Sequence, residues 1–349
     1  MARFVEFNPE ADIINNTSKV TSGFFSDGKG TLAGSNLSTA SLASSQKQYY
    51  YNLQYQSADH LSVTAGHIQG SGSDSVTNVK GSTEAVYKQY AAMLLENDNI
   101  TRGFVMVDGT SGTTAVTQSA IYVVSSERLR MKDRVNRKNW TFTLSGSNTA
   151  GQAKIIKLTD DSDSIAAVAS PMGPRFNIVS GSSGTVAVAA ATKTYGHFYP
   201  NVGIFLLSAN AVSSSLMGKP STGMDPKAEV TGSGLAFDDT VATTSDNAFK
   251  MFQALNLGSI TLRGEEDQVT TDYFCRARAV DFNFSMNPTF SSGSNNKIRH
   301  SSMIGNPVTF ITEVGLYNSN RDLMAIGKLS SPVQKNYGTE ATIKVKLTY

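Results

Sequence analysis

Gly23-Phe24-Phe25-Ser26-Asp27-Gly28-Lys29-Gly30 comes within one residue of the loop that cradles phosphate groups. That loop needs a hydroxyl after its lysine to hold magnesium, and Gly30 has none. The same glycines give Gly28-x-Gly30-x-x-Ala33, a dinucleotide-binding spacing, yet the acidic residue needed about 20 positions on for the ribose is missing. Both matches read as accidents of a Gly-rich stretch. Four histidines, His60, His67, His197 and His300, stand apart, and none lies in a His-Glu-x-x-His helix. Ordinary strand or turn roles are the simpler reading. There is no Gly-x-Ser-x-Gly nucleophile elbow. Cys275, the single cysteine, sits in the alternating run Tyr273-Phe274-Cys275-Arg276, where a small buried side chain is expected.

The acidic clusters fare no better. Asp160, Asp161 and Asp163 lack the central Gly and terminal Glu of a calcium loop and read as a solvated turn. Glu265, Glu266 and Asp267 are adjacent, and neighbours on a strand point to opposite faces, so they cannot flank one glycosidic bond. They read as a charged turn. Arg128, Arg130, Lys132, Arg134, Arg137 and Lys138 form the one concentrated charge, and on a helix Arg130, Arg134 and Arg137 would share a face. The first reading is a solvated face whose stems cover apolar surface; an inter-subunit salt-bridge ledge comes second. Nucleic acid ranks last, because no aromatic residues interleave the charges to stack on bases. No catalytic, cofactor-binding or metal-binding residue is assigned, and no cofactor or small-molecule substrate is expected.

The elements around these residues are mostly strands. From Tyr49 on, short runs rich in Val, Ile, Tyr, Phe and Thr alternate with Gly, Ser, Asn and Asp clusters. Two segments have helical spacing: from Ser82, a candidate N-cap, to Asn97, with Val86, Tyr90, Met93 and Leu94 on one face, and from Asp246 to Asn256, with Phe249, Phe252 and Leu255. The expected fold is therefore mainly β with a few short helices, built as sandwich-like or meander domains. Residues 1–48 read as an extended Ser/Thr/Gly-rich amino-terminal arm, 49–207 as a β-rich domain, 208–246 as a long polar loop or linker, and 247–349 as a β-rich carboxy-terminal part. The last could form one domain with 49–207.

Of the 349 residues, 40% are apolar and only 17% charged, so the surface is covered by uncharged polar groups. That suits a surface occupied by neighbours more than a free enzyme. A net charge of +2 draws the molecule to neither phosphate backbones nor anionic membranes. One cysteine rules out a disulfide framework and fits assembly in a reducing cytoplasm. No apolar segment approaches the ~20 residues of a membrane span, so no membrane insertion is expected.

The most specific signal is Phe310-Ile311-Thr312-Glu313-Val314-Gly315-Leu316-Tyr317-Asn318, then Asp322-Leu323-Met324-Ala325-Ile326-Gly327-Lys328-Leu329 and Ser331-Pro332-Val333. The alternating run Ala341 to Leu347 follows, with Lys344 and Lys346 on one face of a candidate edge strand. The pattern predicts a hairpin meander turning at Asn318 to Asp322. This block resembles an element recurrent in tail-fibre and baseplate proteins of tailed bacteriophages. With Glu127 to Arg134 and Asn139 to Leu144, the chain looks like large virion proteins of contractile-tailed phages of marine cyanobacteria and related hosts.

The resemblance implies a non-enzymatic structural subunit of the phage tail, in the baseplate or where fibres attach. Its expected partners are copies of itself and other tail proteins, first in the host cytoplasm and then in the virion. Candidate assembly residues are Arg130, Arg134, Arg137, Ile311, Glu313, Leu316, Tyr317, Lys344 and Lys346. Alternatives are a neck or capsid-surface protein, a host-binding adhesin and a tail-associated polysaccharide-degrading enzyme.

Overall fold

The computed structural model describes residues 4–39, 50–72, 81–148, 150–216, 234–237, 247–283, 287–292, 295 and 297–349. The chain is mainly β, with five short α-helices among the described residues. It divides into a larger compact unit, Val20–Glu266, and a smaller one, Met1–Lys19 with Asp267–Tyr349. These limits differ from the expected boundaries at 48, 207 and 246. Of the expected loop 208–246, only 208–216 and 234–237 are described; they include the helix Ala209–Ser213 and the buried Leu235. Tyr49 and Asp246, where a strand and a helix were expected to start, lie outside the described residues.

In the larger unit an eleven-stranded antiparallel sheet runs Thr31–Ala33, Ser259–Thr261, Thr141–Ser147, Ala153–Asp160, Phe176–Ser182, Gly196–Tyr199, Ile204–Ser208, Ala120–Ser126, Ala58–His67 and Tyr50–Tyr55. Thr185–Val186 hooks onto Phe176–Ser182. Ala120 to Val124 and Ile204 to Leu207 are apolar at every position because the sheet is covered on both faces. Tyr122 and Val124 enter one core with Phe142, Phe198, Phe205 and the helix Asn247–Asn256. Ile121 and Val123 enter the other, under the helix Ser82–Leu94. That helix is capped by Gly81 rather than Ser82. It buries Tyr87, Ala91 and Leu94, with Tyr90 and Met93 half-buried beside them. Gly66 lets it lie close, since a Cβ there would stand 2.9 Å from the Tyr87 amide nitrogen.

Several residues read as surface are built into this unit. Phe24 and Phe25, assigned to the arm, are buried in the core, because a turn at Asp27 and Gly28 (φ 78°) folds them inward. They surround His60, which is fully buried. Its Nε2 accepts from the Ser26 amide at 3.1 Å, while Nδ1, 2.8 Å from the Ala58 carbonyl, must donate. Asp160 and Asp161 form no solvated turn. Both are buried, accepting from the backbone amides of Lys138 (3.0 Å) and Asn177 (3.0 Å).

The basic run is not one helix. It is helical only over Arg128–Met131; Lys132 takes a positive φ of 60°, and Arg134–Val135 then pairs as a strand with Glu265 and Gly264. Nor do Glu265, Glu266 and Asp267 form a turn. They lie inside the strand Arg263–Ala277, which crosses from the larger unit into the smaller.

In the smaller unit Thr270 to Ala277 of that strand pairs antiparallel with the final strand, Ala341–Thr348, so that Tyr273 opposes Val345. Thr309–Tyr317 and Leu323–Lys335 form a separate two-stranded hairpin. The expected meander is thus broken, because the last strand leaves the hairpin for Arg263–Ala277. Ala277 and Leu316 are the only buried apolar side chains among the described residues of this unit.

Candidate assembly surface

The hairpin turn is set by Asn318, whose side-chain Oδ1 accepts from the Asp322 amide at 2.8 Å while its own amide donates to the Asp322 carbonyl. Alternation, shifted by irregularities between Ile311 and Glu313 and between Leu316 and Tyr317, then gives the ribbon two unlike faces. On one, Val314, Leu316, Ala325, Gly327 and Leu329 are buried or half-buried. A Cβ at Gly327 would stand 3.5 Å from Val345, which places the final strand against this face. The other face is open. There Glu313 opposes Lys328, Gly315 opposes Ile326 and Tyr317 opposes Leu323.

Exposure on the open face is high for apolar groups: Ile326 53%, Leu323 47% and Tyr317 45%. The Tyr317 ring and the Leu323 methyl lean over bare Gly315, where a Cβ would meet them at 2.9 and 3.1 Å. This is the aromatic covering that strand glycines use. Phe4 stands edge-on to Tyr317, with centroids 5.0 Å apart, and lengthens the strip. Glu313 and Lys328, though directly opposed, make no ion pair or side-chain hydrogen bond with each other or with any other described residue.

The stem of the hairpin is held by Lys335, whose ammonium is fully buried. It donates to the Ala279 carbonyl (3.0 Å), Asn283 Oδ1 (2.8 Å) and the Asn336 carbonyl (2.9 Å). Three oxygens replace the water that the charge gave up.

The other candidates divide between the units. Ile311 is half-buried opposite Val333, and Leu316 is buried on the inner face. Lys344 pairs with Asp272 at 2.6 Å, and Lys346 is exposed on the same outermost strand. In the larger unit Arg134 Nε lies 3.4 Å from Glu265, Arg137 stands 5.2 Å over the Phe176 ring, and Arg130 is half-buried on its short helix. Arg134 and Arg137 are thus engaged within their own unit. The strip residues Phe4, Ile326 and Lys328 were not singled out from sequence. Register places Ile326 beside Gly315 and Lys328 beside Glu313, and a ring contact places Phe4 beside Tyr317.

His197 is buried, and burial together with the neighbouring Arg175 charge holds its ring well below the ordinary histidine range. Burial also lowers His60 and raises the Asp160 carboxyl. Among the described residues, no cluster of three His, Cys, Asp or Glu side chains could hold a metal ion. No helix among them is long and apolar enough to cross a membrane. Comparison with known proteins finds no matching family model, curated protein or solved structure.

Proposed function

We propose that this chain is a non-enzymatic structural subunit of a bacteriophage tail, placed in the baseplate or at a fibre attachment and acting through protein assembly. The observation that carries this reading is the contrast between the units. Among the described residues the larger has two buried cores, whereas the smaller buries two apolar side chains and exposes an apolar strip on a two-stranded ribbon. A ribbon of two strands is marginal in water by itself, and contiguous exposed apolar surface marks an interaction site. The same ribbon carries the element that resembles tail-fibre and baseplate proteins. The low share of charged residues, 17%, agrees with a scaffold role.

Mass spectrometry of purified particles from the phage encoding the chain tests the reading. The chain is expected in several copies per tail and in isolated tails after mild disruption. Its absence from the particle would contradict the proposal.

A further inference from the structure

We propose that the open face of the hairpin is a self-complementary docking surface for a second copy of this chain; the inference rests on the assembly reading above. In sheet-on-sheet packing, a two-fold axis in the plane of contact, running along the ribbon midway between its strands, carries each residue over the cross-strand partner of its counterpart. The register then dictates the contacts. Glu313 meets Lys328 of the second copy, and Lys328 meets its Glu313. The apolar Ile326 meets the covering over Gly315, and Tyr317 meets Leu323. One operation therefore matches charge to opposite charge and apolar group to apolar group, as an isologous interface requires.

The unpaired charges argue for this occupant over an unrelated apolar partner. Glu313 and Lys328 oppose each other in register, yet neither engages a described residue of its own chain. A purely apolar partner would cover both charges and offer neither a counter-ion of its own, leaving each only its cross-strand neighbour. A second copy supplies two ion pairs at once, flanking the strip formed by Tyr317, Leu323 and Ile326.

Sedimentation velocity of the full chain tests the pairing. The wild type is expected to associate in the micromolar range. Glu313→Lys and Lys328→Glu each place like charges over one another, and each should weaken association by about tenfold or more. Mixing the two variants restores both ion pairs, because the introduced lysine of one chain faces the introduced glutamate of the other while the remaining native Lys328 faces the remaining native Glu313. The mixture should therefore associate as the wild type does. The double variant should also associate. A wild type that stays monomeric, single variants that associate normally, or a mixture that stays dissociated would each overturn the proposal. A monomer found in purified tails would leave the structural role standing without the pairing; a dimer absent from particles would do the reverse.

Discussion

Phe205 packs against Trp140, Phe142 and Phe198 with ring centroids 4.6 to 4.7 Å away, all four rings being fully buried. Phe205→Ala would leave a cavity at the centre of the larger unit and should cost about 3 to 5 kcal/mol. Trp140, the single tryptophan, reports the loss directly in a denaturant titration followed by fluorescence. The buried histidines add a pH dependence. His60 and His197 are held below their ordinary value of 6.5 when folded, so the unfolded chain binds protons that the folded chain does not. Stability should therefore fall as pH drops from about 7.5 to about 5.5. The slope of the melting midpoint against pH should be shallower in His197→Phe than in the wild type. An equal slope would sink that assignment. The burial of His60 and His197 was not legible from their isolation in the sequence. Nor was the burial of Asp160, because it depends on the Lys138 amide, 22 residues away, turning back onto the carboxylate.

At the level of elements, the hairpin depends on one buried charge. Lys335→Met would keep the stem's volume but leave buried Asn283 Oδ1 without its donor, a loss of about 1 to 3 kcal/mol, while the Ala279 carbonyl keeps the Asn283 amide and the Asn336 carbonyl keeps the Thr339 amide. Hydrogen exchange should show faster amide exchange across Thr309–Tyr317 in this variant, with the strands of the larger sheet unchanged. Unchanged exchange in the hairpin would contradict the staple. The hairpin strands and their Asn318 turn could be read from alternation and turn residues. Where the last strand pairs could not be, since Ala341 to Leu347 alternates equally well beside Leu323–Lys335 or beside Arg263–Ala277. The basic run has helical spacing on paper, but the positive φ at Lys132 and strand pairing at Arg134 override it. Helix propensity is a weak prior once neighbouring strands compete.

For the whole molecule, the two units make different demands. The larger completes its own cores, so Glu313→Lys and Lys328→Glu should leave its melting transition within about 0.5 kcal/mol of wild type, as surface changes usually do. Near-coincident Trp140 unfolding curves would establish this, while a large shift would mean that these charges support the fold. The candidate surface was half legible: Glu313 and Tyr317 were named as candidates, but Leu323, Ile326 and Lys328 of the same block acquire their meaning only through cross-strand register, and Phe4 only through a contact across more than three hundred residues of chain. Side-chain-resolution electron microscopy of the intact particle tests the account most directly. The chain should lie in the tail with the open face of its hairpin covered by another protein surface. A chain missing from the tail, or present there with Tyr317, Leu323 and Ile326 facing solvent, would contradict it.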